Sequence, residues 1–261
     1  MAEVTGIAWA DSTFNPWIGC TKVAPECDNC YAERLATTRL KVPWGSGAAR
    51  RRTAVSYWRQ PYSWDRKAAA SGRPWRVFCA SLADVFDNEV PNDWRDDLFR
   101  VIRETPNLTW MLLTKRIANV ERMTVGRNSA FVWPPNVWLG ITTGTQAAAD
   151  RDIPKLVNIP AAIHWLSIEP MLEPVSFAVN MDVCALVDWV IYGFESDMGL
   201  GHARSGNVEW IRDGIAECRL YGCAPFVKQL GPLLGLKDRS GSNPDEWPED
   251  LRVREFPDSI Y

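Results

Sequence analysis

The chain has 261 residues, 46% hydrophobic and 23% charged, with a net charge of −3. That composition belongs to a folded globular protein, long enough for one large core or two smaller ones, and it excludes bulk disorder. No apolar run approaches the roughly 18 residues a membrane span needs.

The first seventeen residues, MAEVTGIAWADSTFNPW, lack a basic start leading into an apolar stretch. No signal peptide is expected, and the protein is expected in the cytoplasm, where thiols stay reduced and close cysteine spacing points to metal more than to disulfides. Within this stretch GIAWA (6–10) is a candidate first strand. Next comes WIGCTKVAPECDNCYAER (17–34), which gathers three of the seven cysteines, Cys20, Cys27 and Cys30, with the spacing C-x6-C-x2-C.

Residues 40–75 read as an insertion or a long irregular segment. Between Arg34 and Arg76 stand eleven Lys or Arg and one acid, Asp65, so this stretch carries +10 and the rest of the chain −13. Trp44, Tyr57, Trp58, Tyr62, Trp64 and Trp75 are interleaved with the cations. Cations among aromatics suit phosphate contact and base stacking, which makes Arg50, Arg51 and Arg52 candidate nucleic-acid-binding residues. The plainer alternative is an Arg-rich surface whose aromatics pack on the main body.

From Arg76 onward short apolar runs alternate with helical patterns. The runs are RVFCASL (76–82), LTWMLLT (108–114), NVWLGIT (136–142), AIHWLSIEP (162–170), DWVIYGF (188–194) and CAPFVKQ (223–229). Continuous runs of this length predict strands buried on both faces. Helices are expected over 91–105, 115–123, 145–158 and 206–222, the last capped by Asn207 and stopped at Gly222. Alternation of this kind predicts an α/β fold with a parallel sheet, a partial or complete (β/α) barrel, with an open doubly wound sheet as the runner-up. One barrel domain is expected over 1–236, with an acidic, turn-rich tail over 237–261 that wraps the surface or moves. GLGHARSG (199–206) reads as a loop over the barrel mouth.

Thiolates are soft ligands for zinc or iron–sulfur clusters. A closed zinc site takes four ligands, and the fourth would come from Cys79, Cys184, Cys218, Cys223, His164 or His202. Cys79 and Cys184 lie in apolar stretches and read as core, which favours Cys223 and His202. Three local thiols without a nearby fourth also suit a four-iron cluster with one iron free of protein ligands.

STFNPWIGCTKVAPECDNCYAERLA, VFCASLADVFDNEVP, LLTKR, NVWLGIT, LSIEPMLEPV, DWVIYGFES and APFVKQLG, in this order over about residues 5–232, resemble the three-cysteine phage family grouped as gene product thirty-seven or sixty-eight. That family is grouped by its cysteine motif and barrel with radical S-adenosylmethionine (radical SAM) proteins. The resemblance implies a [4Fe-4S] cluster on Cys20, Cys27 and Cys30, S-adenosylmethionine (SAM) as cofactor, an electron donor as partner, and a host-cytoplasmic location if phage-encoded. The spacing usual in radical SAM proteins, C-x3-C-x2-C, matches only in the last pair. Where relatives carry Gly-Gly-Glu-Ser, this chain has Phe194 in place of the second glycine.

In parallel sheets chemistry gathers at the carboxyl ends of the strands. For such a cofactor the candidates there are Ser81 and Asp84 for its amino group, Lys115 or Arg116 for its carboxylate, and Thr142, Glu169 or Glu195 for its ribose. The function expected is a radical SAM-like enzyme on an unknown substrate, with a nucleic acid or nucleotide favoured by the basic segment. The alternative is a non-enzymatic nucleic-acid or partner-binding protein with structural zinc.

Overall fold

Every apolar run after Arg76 becomes a strand, within one or two residues of its sequence bounds at the carboxyl end for most. The computed structural model describes residues 5–178, 185–196, 203–204, 206–232, 235–238 and 240–258. The strands are β1 (Ser12–Thr13), β2 (Trp17–Ile18), β3 (Arg51–Arg52), β4 (Trp75–Cys79), β5 (Leu108–Thr114), β6 (Val137–Thr142), β7 (Ile163–Ile168), β8 (Trp189–Gly193) and β9 (Ala224–Gln229). The helices are α1 (Tyr31–Leu35), α2 (Gln60–Ser71), α3 (Asn92–Glu104), α4 (Ile117–Met123), α5 (Gln146–Leu156) and α6 (Val208–Tyr221).

One sheet runs β1-β4-β5-β6-β7-β8-β9, and β2 pairs with β3 in a small antiparallel ribbon. The pairs β1–β4, β4–β5, β7–β8 and β8–β9 are parallel. The order follows the chain without a reversal. A doubly wound sheet reverses at a switch point, so the runner-up topology is set aside. The fold is mixed α/β, and its strand succession is that of a partial (β/α) barrel. The chain divides into two compact units, Met1–Leu139 with Pro160–Ala162, and Gly140–Ile159 with Ile163–Tyr261.

The first unit's core is built on Phe14, whose ring stacks on Tyr57 at 5.1 Å and meets Trp58 and Trp110 edge-on, each at 5.6 Å. β4 and β5 bury Val77, Phe78, Trp110, Met111 and Leu112, and α3 buries Leu98, Phe99, Val101 and Ile102. Two expectations are corrected here. GIAWA forms no strand: Ala10 N–H closes a turn onto Ile7 O, and the first pairing with β4 begins at Ser12. Residues 40–75 are not irregular either. They contain β3 and the twelve-residue α2, which carries Pro61 in its first turn and buries Trp64 and Ala68. Pro near the first helical turn lacks only an N–H that would have no intrahelical partner, so the proline begins this helix.

In the second unit Trp165, Trp189, Phe226 and Phe256 form a chain of ring contacts, with centroids 5.4–5.8 Å apart along it. Asn207 caps α6 by accepting from Glu209 N–H, and Gly222 ends it at φ +75°. The tail docks on β9: Val227 N–H donates to Val253 O, Glu255 N–H to Pro225 O, and Trp247 and Leu251 are buried.

Candidate functional site

The cysteine loop leaves β2 through Gly19. Its φ of +118° and the Arg50 side chain, 3.0 Å from where a Cβ would stand, leave room for glycine alone. Gly19 N–H donates to Leu82 O at 3.0 Å and Gly19 bridges Ala83 in parallel, so the loop runs beside the segment that follows β4. Tyr31 OH donates to Ser81 O at 2.9 Å, and Asn15 bonds both the Ser81 hydroxyl and Leu82 N–H. The loop is thereby sewn to the carboxyl end of β4.

A second seam comes from β5. Arg116 Nη1 lies 3.3 Å from Cys20 Sγ and 3.0 Å from Asp84 Oδ2, and Nη2 donates to Thr21 O at 2.7 Å. Asp84 also accepts from Thr114 Oγ1, Lys115 N–H and Phe86 N–H. Its carboxylate is thus committed to fixing the turn after β5, and Ser81 is engaged by Asn15. Lys115 is different: its side chain makes no ion pair among the described residues. Burial, with the Asp84 charge beside it, pushes the Cys20 thiol up to about 11, against the pull of Arg116. The Arg116 guanidinium is lowered by burial, but Asp84 and Cys20 more than offset that and hold it raised.

Cys27 is buried in the short 3-10 turn Pro25–Cys27, and Cys30 precedes α1 and packs against Ile18, Ala32, Ala36, Val42 and Leu82. All three loop cysteines are free thiols. As donors they fit a soft metal or an iron–sulfur cluster. Among the described residues no three His, Cys, Asp or Glu side chains stand together as a ligand group. Of the fourth-ligand candidates, Cys79 is buried in β4, and burial raises its thiol. Cys218 and Cys223 are buried in the second unit, while His164 faces the Ile159 and Leu186 carbonyls. Cys184, His202 and most of the 199–206 loop lie outside the described residues.

The three arginines of the basic segment part company. Arg50 turns inward, where its guanidinium meets Asp87 at 2.7 Å with side-chain exposures of 1% and 3%, and also bonds Gly45 O, Ala48 O and Thr21 Oγ1. That placement corrects its assignment as a phosphate contact, because a cation enclosed by carboxylates and carbonyls cannot reach one. Arg52 pairs with Asp97 at 2.6 Å and lies over the Trp58 ring at 4.5 Å. Arg51 is exposed and donates to Leu40 O.

Thr142, Glu169 and Glu195 belong to the second unit, at the carboxyl ends of β6, β7 and β8. The Thr142 and Thr143 hydroxyls are buried and have no hydrogen-bond partner among the described residues. Glu169 pairs with Lys228 and Glu195 with Arg204. Phe194 is buried, its ring filling the space that a Cβ on Gly206 would take. Sequence reasoning missed Asn15, Tyr57 and Asp87, whose partners lie tens of residues away. The only local hint was the Asn-Pro pair at Asn15.

The family model described as "Protein of unknown function (DUF5131)" matches residues 4–245. The chain belongs to the DUF5131 family. The match takes in residues of both units of this DUF5131 member, the cysteine loop and the first part of the tail. No curated protein and no solved structure matches it. Among its described residues no helix is long and apolar enough to cross a membrane.

Proposed function

We propose that this DUF5131 protein is an iron–sulfur enzyme of the radical SAM type, with Cys20, Cys27 and Cys30 holding the cluster. One observation carries the reading: Arg116 latches Cys20 to the carboxyl ends of β4 and β5, 3.3 Å from its sulfur. Cys20 thereby lies at the carboxyl ends of parallel strands, where such folds place their chemistry. When bound, the cluster supplies the electron that cleaves the sulfonium of SAM.

The protein's own groups have separable tasks. Arg116 offsets negative charge at Cys20 and so favours the thiolate that ligation requires. Asp84 fixes Arg116 through a buried ion pair and is a positioning residue. Lys115 is the cation left to meet the cofactor carboxylate. The substrate this reading favours is a nucleic acid or nucleotide.

The test is anaerobic reconstitution with ferrous iron and sulfide. Brown protein is expected, absorbing near ~400 nm with about four irons per chain. With dithionite as reductant and SAM it should release 5′-deoxyadenosine and methionine. Cys20→Ala, Cys27→Ala and Cys30→Ala should each abolish iron uptake. About one zinc per chain, with no iron bound and no cleavage, would overturn the proposal in favour of a structural knot.

A further inference from the structure

The basic segment carries far more charge than its internal partners consume. Arg50 is neutralised by Asp87 and Glu89, Arg52 by Asp97, and Arg73 and Arg76 by Asp11. Arg39, Lys41 and Arg51 are exposed and make no ion pair among the described residues. The backbone brings these three together. Tyr31–Leu35 continues into the π-helical turn Ala36–Leu40, which ends at Lys41 with φ +53°. Arg51, at the start of β3, donates Nη1 to Leu40 O at 3.0 Å, beside Arg39 and Lys41. The sequence from Arg34 to Trp64 contains no acid to offset them.

We propose that Arg39, Lys41 and Arg51, gathered at the C-terminal end of the helix that begins behind Cys30, form a docking surface for the phosphodiester backbone of a nucleic acid. Two guanidinium forks and an ammonium at one helix end match phosphate oxygens in charge and in donor geometry. A membrane surface is the poorer match. Amphipathic helices that lie on lipid turn an apolar face outward, whereas this helix spends its apolar residues Ala32, Leu35, Ala36 and Leu40 on the cluster around Ile18, Val42 and Leu82. An acidic protein would want an apolar centre to the contact, and no large exposed hydrophobic residue lies between Tyr31 and Val55.

The patch also has a defined relation to the cysteines. The ten helical residues Tyr31–Leu40 span at most about 15 Å, so a strand docked here passes near the cysteine loop. That step, which makes the strand a substrate, deepens the iron–sulfur reading and rests on it. The binding does not.

The experiment measures binding of a fluorescent oligonucleotide, single-stranded and duplex, to the full chain without added iron, across a salt series. The wild type should bind, with affinity falling steeply as salt rises. The triple variant Arg39→Glu/Lys41→Glu/Arg51→Glu should lose at least about tenfold in affinity, and its salt slope should drop by about 2, at roughly 0.7 for each phosphate contact on a single strand. Lys237→Glu, an exposed cation of the other unit, should bind as wild type does. Circular dichroism and a melting curve establish that the triple variant is folded, and Arg51→Gln alone serves if it is not, with a smaller loss expected. The proposal is overturned if wild type does not bind, if the folded variants bind unchanged, or if anionic vesicles or polyglutamate compete as well as the oligonucleotide. 5′-Deoxyadenosine formation without nucleic acid reports separately on the iron–sulfur reading.

Discussion

Arg50 illustrates how a residue's neighbours overrule its sequence context. Six donor contacts tie it to Asp87, Glu89, Thr21 and two carbonyls of the same unit. Removing one member of a buried ion pair strands the other's charge, at about 3–5 kcal/mol. Arg50→Ala should therefore lower the melting temperature by on the order of 10 °C, while Arg51→Ala should leave it nearly unchanged; differential scanning calorimetry compares the two. Tyr57 is the second residue of this kind. Its hydroxyl donates to Thr13 O at 3.0 Å and accepts from Asn15 N–H at 3.1 Å, so it pins β1 and the approach to the cysteine loop. Tyr57→Phe should cost about 1–3 kcal/mol, read as a fall in the urea midpoint with unchanged slope. Burial pushes the Tyr57 hydroxyl up to about 12. The native state favours the neutral phenol, so its contribution is whole below pH ~10 and fades as pH climbs toward 12. An alkaline titration followed at 295 nm on wild type and Tyr57→Phe checks this. A Tyr57 signal titrating near 10 would contradict it.

At the level of elements, most boundaries are set by local chemistry, and substitutions there should have local effects. Asn207 and Gly222 bracket α6 in the manner their residue types prefer. Asn207→Ala should destabilise by about 1 kcal/mol. Gly140 on β6 is a sharper case, because a Cβ there would stand 2.3 Å from the Trp165 ring on β7. Gly140→Ala forces that indole to move and should cost about 1–3 kcal/mol, measured by denaturant unfolding; a neutral result would mean the two strands separate more readily than their packing implies. The strands were legible because LTWMLLT and DWVIYGF are apolar on both faces, as buried parallel strands must be. α2 was not, because its buried face is narrow, Pro61, Trp64 and Ala68, and is hidden among cations. GIAWA has strand-like composition, yet the Asp11 carboxylate accepting from Arg76 N–H starts the pairing only after it.

Across the whole chain, stability is shared by segments far apart in sequence. The acidic tail, which composition suggests is dispensable, closes the second unit: Trp247 and Leu251 are buried, and Trp189 Nε1–H donates to Glu255 O at 2.9 Å. Truncation after Lys237 should expose β9 and make the protein aggregate or melt earlier, whereas truncation after Asp258 should be silent. Limited proteolysis and thermal melting distinguish these. A truncated chain as stable as the full one would show that the tail merely rests on β9.

By itself, the sequence determined the α/β class, the six principal strands, four of the helices and the close spacing of the three thiols. Apolar periodicity, caps and cysteine spacing are local quantities written within a few residues. Only the tertiary structure decided the direction of winding, which arginines are enclosed and which are open, the pinning of the cysteine loop by Arg116 and Tyr31, and the use of the tail. Each of these depends on which distant groups meet, and a buried charge finds its partner through the fold, not through its neighbours in the chain.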